Sequence, residues 1–172
     1  VRDGRQVSTC LWLRHRRARK AVERRLVHQA GHDPLPGRPN RALFLDRVEH
    51  AQAGAARTGH IQAVLFVDVD RFKVINDSLG HLAGDEVLRI VAGRLVQVLR
   101  PSDTVARFGG DEFTILLEQL TEPGEAVQAA ERVLRATREP IVIGDREIVV
   151  TVSIGGAVEA PTNGSSGRIR VA

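Results

Sequence analysis

The strongest chemical signal in the chain is a set of acids beside paired glycines. "RFGGDEF", residues 107–113, runs Gly109 and Gly110 into Asp111 and Glu112, with the apolar segments "TVARF" and "FTILL" on either side. Upstream, the apolar run "VLFVDVD" ends on Asp68 and Asp70. Glycine inside a strand costs roughly 0.5–1 kcal/mol relative to alanine, but it lets backbone approach a ligand closely. Asp68 and Asp70 share one face of a strand at period two, and ligands in open α/β sheets gather at carboxyl ends of strands. A hard cation such as Mg²⁺ takes one or two carboxylates plus substrate phosphates. Carboxylates crowded together repel one another unless such a cation lies between them. The plainer alternative is a solvated strand end whose Asp70 caps the next helix. The metal reading holds if the strand ending at Asp68 and the Gly-Gly-Asp-Glu hairpin are neighbours in one sheet.

"RFKVINDSLGHLAGDEVL" supplies further groups. Phe72 and Lys73 begin a short helix directly after the Asp pair, and a helix N-terminus with a lysine suits phosphates. Asn76 offers an amide and Asp85 a carboxylate, groups that can read a purine edge. Alternatively, Asn76 and Asp77 end the short helix and Asp85 N-caps the next one.

The elements that must position these residues follow from periodicity. "NRALFLDRVEHAQAGAART" predicts a helix with Leu43, Phe44, Val48 and Ala51 inward. "IQAVLFVDVD" predicts a strand from about Ile61 to Val69, apolar enough to be covered on both faces. "AGDEVLRIVAGRLVQVLR" predicts a long helix with Val87, Ile90, Val91, Leu95 and Leu99 inward. A hairpin, a helix between Pro123 and Pro140, and "IVIGDREIVVTVSIGGAV" as strand, Gly-Asp turn, strand complete the pattern. The order predicts an α/β fold with a mixed, largely antiparallel sheet flanked by helices. From Glu159 onward "EAPTNGSSGRIRVA" is rich in Gly, Ser and Pro, and residues 161–172 are expected to be a disordered tail.

With 42% apolar and 27% charged residues, the chain suits one soluble domain with extensions. No run approaches a membrane span, no secretory signal is visible, and the single Cys10 allows no internal disulfide. Together these suggest a cytoplasmic protein, or the cytoplasmic part of a larger one. Residues 1–50 hold 12 Lys and Arg against 5 Asp and Glu, so the basic balance belongs to "LRHRRARKAVERRL". That helix, with a narrow stripe of Ala18, Val22 and Leu26, reads as a connector with a solvated face. No groove-reading motif accompanies it, so nucleic acid is not an expected partner. Trp12 and Cys10 read as packing residues.

"HDPLPGRPNRALFLD" (32–46), "FVDVDRFKVINDSLGHLAGDEVL" (66–88) and "RFGGDEF" (107–113), in this order and spacing, resemble the signature blocks of the GGDEF family, the diguanylate cyclases. The resemblance spans about residues 28–160. Residues 1–14 resemble the end of a PAS-like sensor domain and 15–31 its linker helix, leaving 32–160 as the GGDEF domain. The resemblance implies condensation of two GTP into cyclic di-GMP plus pyrophosphate at a homodimeric site with Mg²⁺ or Mn²⁺. By position, Asp68, the carbonyl of Val69 and Asp111 would hold the metal, and Glu112 would position or deprotonate the attacking hydroxyl. Phe72 and Lys73 would cradle phosphates beside Gly109 and Gly110, and Asn76 and Asp85 would read guanine. "RPSD" matches the family's R-x-x-D inhibitory site, in which Arg100 and Asp103 would bind cyclic di-GMP as a feedback inhibitor. Read without the resemblance, they are a helix-end Arg and a loop Asp.

The sequence departs from the family pattern in two places. Pro36 and Arg38 stand where the first loop usually has Thr and Leu. The family's later helix, with its A-D-x-A-x-Y-x-A-K pattern, has no counterpart, since the chain contains no tyrosine and its only lysines are Lys20 and Lys73. Arg168 and Arg170 are the available stand-ins, and loss of that helix predicts low stability. Two alternatives to a cyclase are therefore kept: a non-catalytic cyclic di-GMP or GTP receptor acting through Arg100 and Asp103, and an inactive truncated remnant.

Overall fold

The structure, a computed structural model, describes residues 41–159 and 166–171. The expected sensor-derived strand, linker helix and Pro-rich first loop lie outside the described residues. Within them the order is α1 (Arg41–Thr58), β1 (Ile61–Val69), α2 (Phe72–Leu79), α3 (His81–Val98), β2 (Thr104–Gly109), β3 (Glu112–Leu120) and α4 (Gly124–Thr137). β4 (Ile141–Ile143), β5 (Arg146–Ile148), β6 (Val152–Glu159) and β7 (Ser166–Val171) follow.

Five strands form one sheet in the order β2-β3-β1-β6-β7, and β4 and β5 form a separate hairpin. Each pairing in both sheets is antiparallel, which agrees with the largely antiparallel sheet expected and leaves out only its parallel component. The reason lies in the crossover. Joining β1 to β2 through α2 and α3 makes these strands run the same way, but β3 is inserted between them and no parallel ladder forms.

β1 sits at the centre, and its alternation decides which residues face which layer. Leu65, Val67 and Val69 are buried with Val87, Leu88, Val91 and Leu95 of α3 and Ala126, Ala130 and Val133 of α4. The α3 residues recur at the three- and four-residue spacing of one helical face. On the opposite face Phe44 and Ala51 of α1, with Val48 beside them, cover Ala106 and Leu116. β3 is therefore roofed on both sides, and its five residues from Phe113 to Leu117 are all buried. Arg94 of α3 ties the end of α4 to this core by donating to the carbonyls of Thr137, Glu139 and Pro140.

Three local expectations change. The run "IVVTVSIGG" is not one strand: β5 stops at Ile148, and β6 starts at Val152 in the other sheet. Between them the Thr151 carbonyl accepts the Asp70 N–H at 3.0 Å, which pulls the chain onto β1. α3 begins at His81, with Gly80 at φ 86° turning the chain out of α2. Asp85 is thus one turn inside the helix and not its N-cap. Lastly, Ser166–Val171, expected as part of a tail without structure, pairs with β6 from Glu159↔Ser166 to Ile154↔Val171. Its alternating Arg-Ile-Arg-Val pattern suits the open edge that β6 offers.

Candidate active site

The two acid-bearing segments are neighbours. Asp68 at the end of β1 stands opposite Glu112 at the start of β3, and the Val69 N–H donates to the Asp111 carbonyl at 3.3 Å. Asp111 lies in the turn that joins β2 to β3, where Gly109 pairs with Glu112. Gly110 has φ +52°, a conformation that L side chains rarely adopt, and the Arg107 Nε–H holds its carbonyl at 2.8 Å. Gly109 has no positive φ, and a Cβ there would meet nothing within 4 Å. Its bareness answers no demand from inside the described chain and leaves open space beside the acids.

Burial is the main cause that raises the Asp68 carboxyl above its usual range, with the charges of Asp111, Glu112 and Asp70 adding to it. Around Asp68, then, the neighbouring charges that act on it are all negative. No group of three His, Cys, Asp or Glu among the described residues is already drawn together as a metal cage. The Asp68 and Asp111 carboxylates are near enough for one charge to act on the other, and they are hard oxygen donors of the kind taken by a cation that keeps water or phosphate as its other ligands.

Asp70 serves a different purpose from either expectation. Thr151 Oγ1 donates to its Oδ2 at 2.6 Å and Ser153 Oγ to its Oδ1 at 2.7 Å. It is a strap from β1 to β6 and neither a helix cap nor a free metal ligand. Sequence reasoning missed Thr151 and Ser153. The alternation of "TVS" marks them as partners on one strand face, but only the topology brings that strand beside Asp70.

After Asp70 the chain turns through Arg71, a non-glycine residue at φ 56° preceding α2, and no side chain caps this N-terminus. Lys73 is exposed on the first turn. The Phe72 ring packs against the core, so the part of Phe72 suited to an anion is its backbone N–H and not its side chain. Asn76 closes α2, its carbonyl accepting the Gly80 N–H at 2.9 Å. Its carboxamide lies against buried Gly84 on the first turn of α3, next to exposed Asp85. The α2–Gly80–α3 corner therefore brings the two expected base-reading residues to one place.

Arg100 and Asp103 form a turn at the end of α3. The Arg100 N–H donates to Asp103 Oδ2, and the Asp103 N–H to the Arg100 carbonyl, each at 2.9 Å. The guanidinium points elsewhere, to Glu125 at 2.6 Å. Asp103 Oδ1 is buried without a hydrogen-bond partner, and burial raises this carboxyl despite the N–H groups that oppose the shift.

Glu125 also accepts from the Thr121 N–H and hydroxyl. The Thr121 hydroxyl and N–H, then Arg100, lower its carboxyl from the usual 4.5 to about 2. A folded-state pKa lowered in this way stabilises the fold above the unfolded value and loses that contribution as pH falls through the folded one. Between pH 4.5 and about 2 the first turn of α4 is expected to loosen. Protection against amide exchange at Thr121 and Glu122, measured relative to the intrinsic rate at each pH, should fall over this range in the wild type and stay constant in Glu125→Gln.

The fold is thus an antiparallel sheet in the order β2-β3-β1-β6-β7 with acids gathered at the end of its central strand. Residues 30–169 match the family described as diguanylate cyclase, GGDEF domain, and the chain belongs to that family. The diguanylate cyclase TpbB of Pseudomonas aeruginosa is 46% identical over 134 residues, which are 77% of this chain and 31% of TpbB. This chain therefore spans about a third of that relative. A solved GGDEF domain of TpbB from the same organism superposes with a TM-score of 0.72 at 44% identity, covering 74% of each chain. The coiled coil and GGDEF domain of DgcB from Caulobacter crescentus, solved with cyclic di-GMP, gives a TM-score of 0.71 at 28% identity, covering 92% of this chain and 83% of that one.

Proposed function

We propose that this domain condenses two GTP into cyclic di-GMP at a site shared by two copies of the domain. Each ribose 3′-hydroxyl attacks the α-phosphate of the opposite nucleotide, so two phosphodiester bonds form, two pyrophosphates leave and the two hydroxyl protons are released. The observation that carries this reading is the register that sets Asp68 opposite Glu112 and beside the Asp111 peptide. Asp68, Asp111 and the Val69 carbonyl would hold Mg²⁺ or Mn²⁺, which when bound neutralises phosphate charge. Glu112 positions the attacking hydroxyl or takes its proton. Lys73 and the uncapped N–H groups of α2 hold phosphates, while Gly109 and Gly110 leave room for the nucleotide. Asn76 and Asp85 read guanine, the carboxylate accepting from its N1–H and exocyclic amine. Most of the catalysis would be positioning and charge stabilisation. Purified domain incubated with GTP and Mg²⁺ should yield cyclic di-GMP by product chromatography; no product at any protein concentration would refute the proposal.

Asp103 favours a second, compatible reading, in which the Arg100–Asp103 turn binds cyclic di-GMP. A buried acceptor without a donor is costly, and a guanine edge supplies donors. Binding there would require Arg100 to leave Glu125. Glu125→Gln is therefore expected to tighten feedback inhibition several-fold, and Arg100→Ala to relieve it. Inhibition constants unchanged in both variants would remove this reading.

A further inference from the structure

We infer that Gly84 is a positioning residue for base selection, because its missing side chain is what seats the Asn76 carboxamide. The inference rests on the proposed guanine-reading role of Asn76 and adds a determinant to it. Gly84 is buried on the first turn of α3, where glycine is less favourable than alanine. Backbone conformation does not explain it, since Gly84 is absent from the glycines with positive φ. Steric room does. A Cβ at this position would overlap Asn76 Oδ1, come within 3.0 Å of Asn76 Cγ and lie 3.2 Å from Phe72 Cζ.

Of the groups met, the Asn76 carboxamide is the one free to give way. The Phe72 ring packs against the core, and the Asn76 main chain is pinned by the Gly80 N–H on its carbonyl. An alanine at 84 must therefore rotate the carboxamide out of its seat, because interiors packed this closely do not absorb an extra methyl without movement. Gly93, farther along the same helix, provides the contrast. A Cβ there would meet nothing within 4 Å, so Gly93→Ala changes helix propensity alone.

A site built to hydrogen-bond a particular base edge discriminates strongly only while its polar groups are aimed at that edge. Gly84→Ala is expected to raise the KM for GTP at least tenfold, to shrink the preference for GTP over ATP by a similar factor, and to change kcat at saturating GTP less than threefold. Gly93→Ala should leave all three at wild-type values. In an Asn76→Ser background, which removes the obstructed group, adding Gly84→Ala should change the KM less than twofold, the non-additivity expected of two residues in contact. The double variant also restores room, which keeps the comparison available if Gly84→Ala alone folds poorly.

A structural readout separates this inference from the proposed function. In a crystal structure or by the Asn76 side-chain amide resonances, Gly84→Ala should show a displaced carboxamide, whether or not the domain turns over GTP. An unmoved carboxamide overturns the inference, as does an equal KM penalty from Gly84→Ala in the wild-type and Asn76→Ser backgrounds. Absence of GTP binding by the wild-type domain would instead refute the proposed function, leaving the position of the carboxamide to decide the role of Gly84.

Discussion

Asp111→Asn is expected to reduce cyclic di-GMP formation by at least about 100-fold, the scale seen when a single transition-state-stabilising group is removed, while the domain stays folded. The substitution keeps the shape of the side chain and replaces one carboxylate oxygen by an amide. The link to β1 survives, because the Val69 N–H is accepted by the Asp111 main-chain carbonyl and not by its side chain. The carboxylate itself raises the Asp68 pKa, so its removal lessens repulsion in the metal-free protein. The melting temperature without Mg²⁺ should accordingly stay level or rise, and any stabilisation by added Mg²⁺ should shrink. Full turnover in Asp111→Asn would sink the metal assignment, and a collapse in stability would mean that the acid has a structural role.

Two residues along, Phe113→Ala should show the reverse pattern. Phe113 is fully buried and pairs with Val67 and Arg107 on its two neighbouring strands, on the core side behind the acids. Truncating a buried Phe costs about 3–5 kcal/mol, a large part of the ~5–15 kcal/mol that holds an ordinary domain together. Urea unfolding should show a lower midpoint with little change in slope. Phe113→Leu should fall between the two and remain foldable. A midpoint unchanged in Phe113→Ala would contradict the burial described for β3. Within one motif, then, loss of Asp111 removes chemistry and spares the fold, whereas loss of Phe113 weakens the fold that presents the acids.

Much of this was legible in the residues, for identifiable reasons. β1 runs from Ile61 to Val69 as expected because an apolar run that ends in acids has few other solutions. Spacing alone places Phe44 and Ala51 of α1 and Val87, Val91 and Leu95 of α3 among the buried residues, whereas Leu43, Val48, Ile90 and Leu99 are only half-buried and Leu88 and Ala92 are buried instead. The pairing of Asp68 with Glu112 depended on which strands are neighbours, which local pattern does not encode. The strap from Thr151 and Ser153 to Asp70 was hidden for the same reason, since 81 and 83 residues separate the partners. The start of α3 was misplaced because Gly80 ends one helix and begins the next without a side-chain cap. β7 was missed because its glycines and serines outweighed a short alternating run.

The central place of β1 also bears on how the chain is assembled. Its two partners are β3 and β6, both made later, and β6 ends at Glu159. Contacts this distant in sequence close slowly. During synthesis at about 5–20 residues per second, β1 would wait several seconds for its second partner after its own completion. Throughout that wait one of its edges, flanked by Leu65, Phe66 and Val67, has no ladder to join. The β2–β3 hairpin can form locally and cover the other edge first. Nascent chains halted before Val152 should therefore recruit chaperones or self-associate, and release past Glu159 should end that exposure.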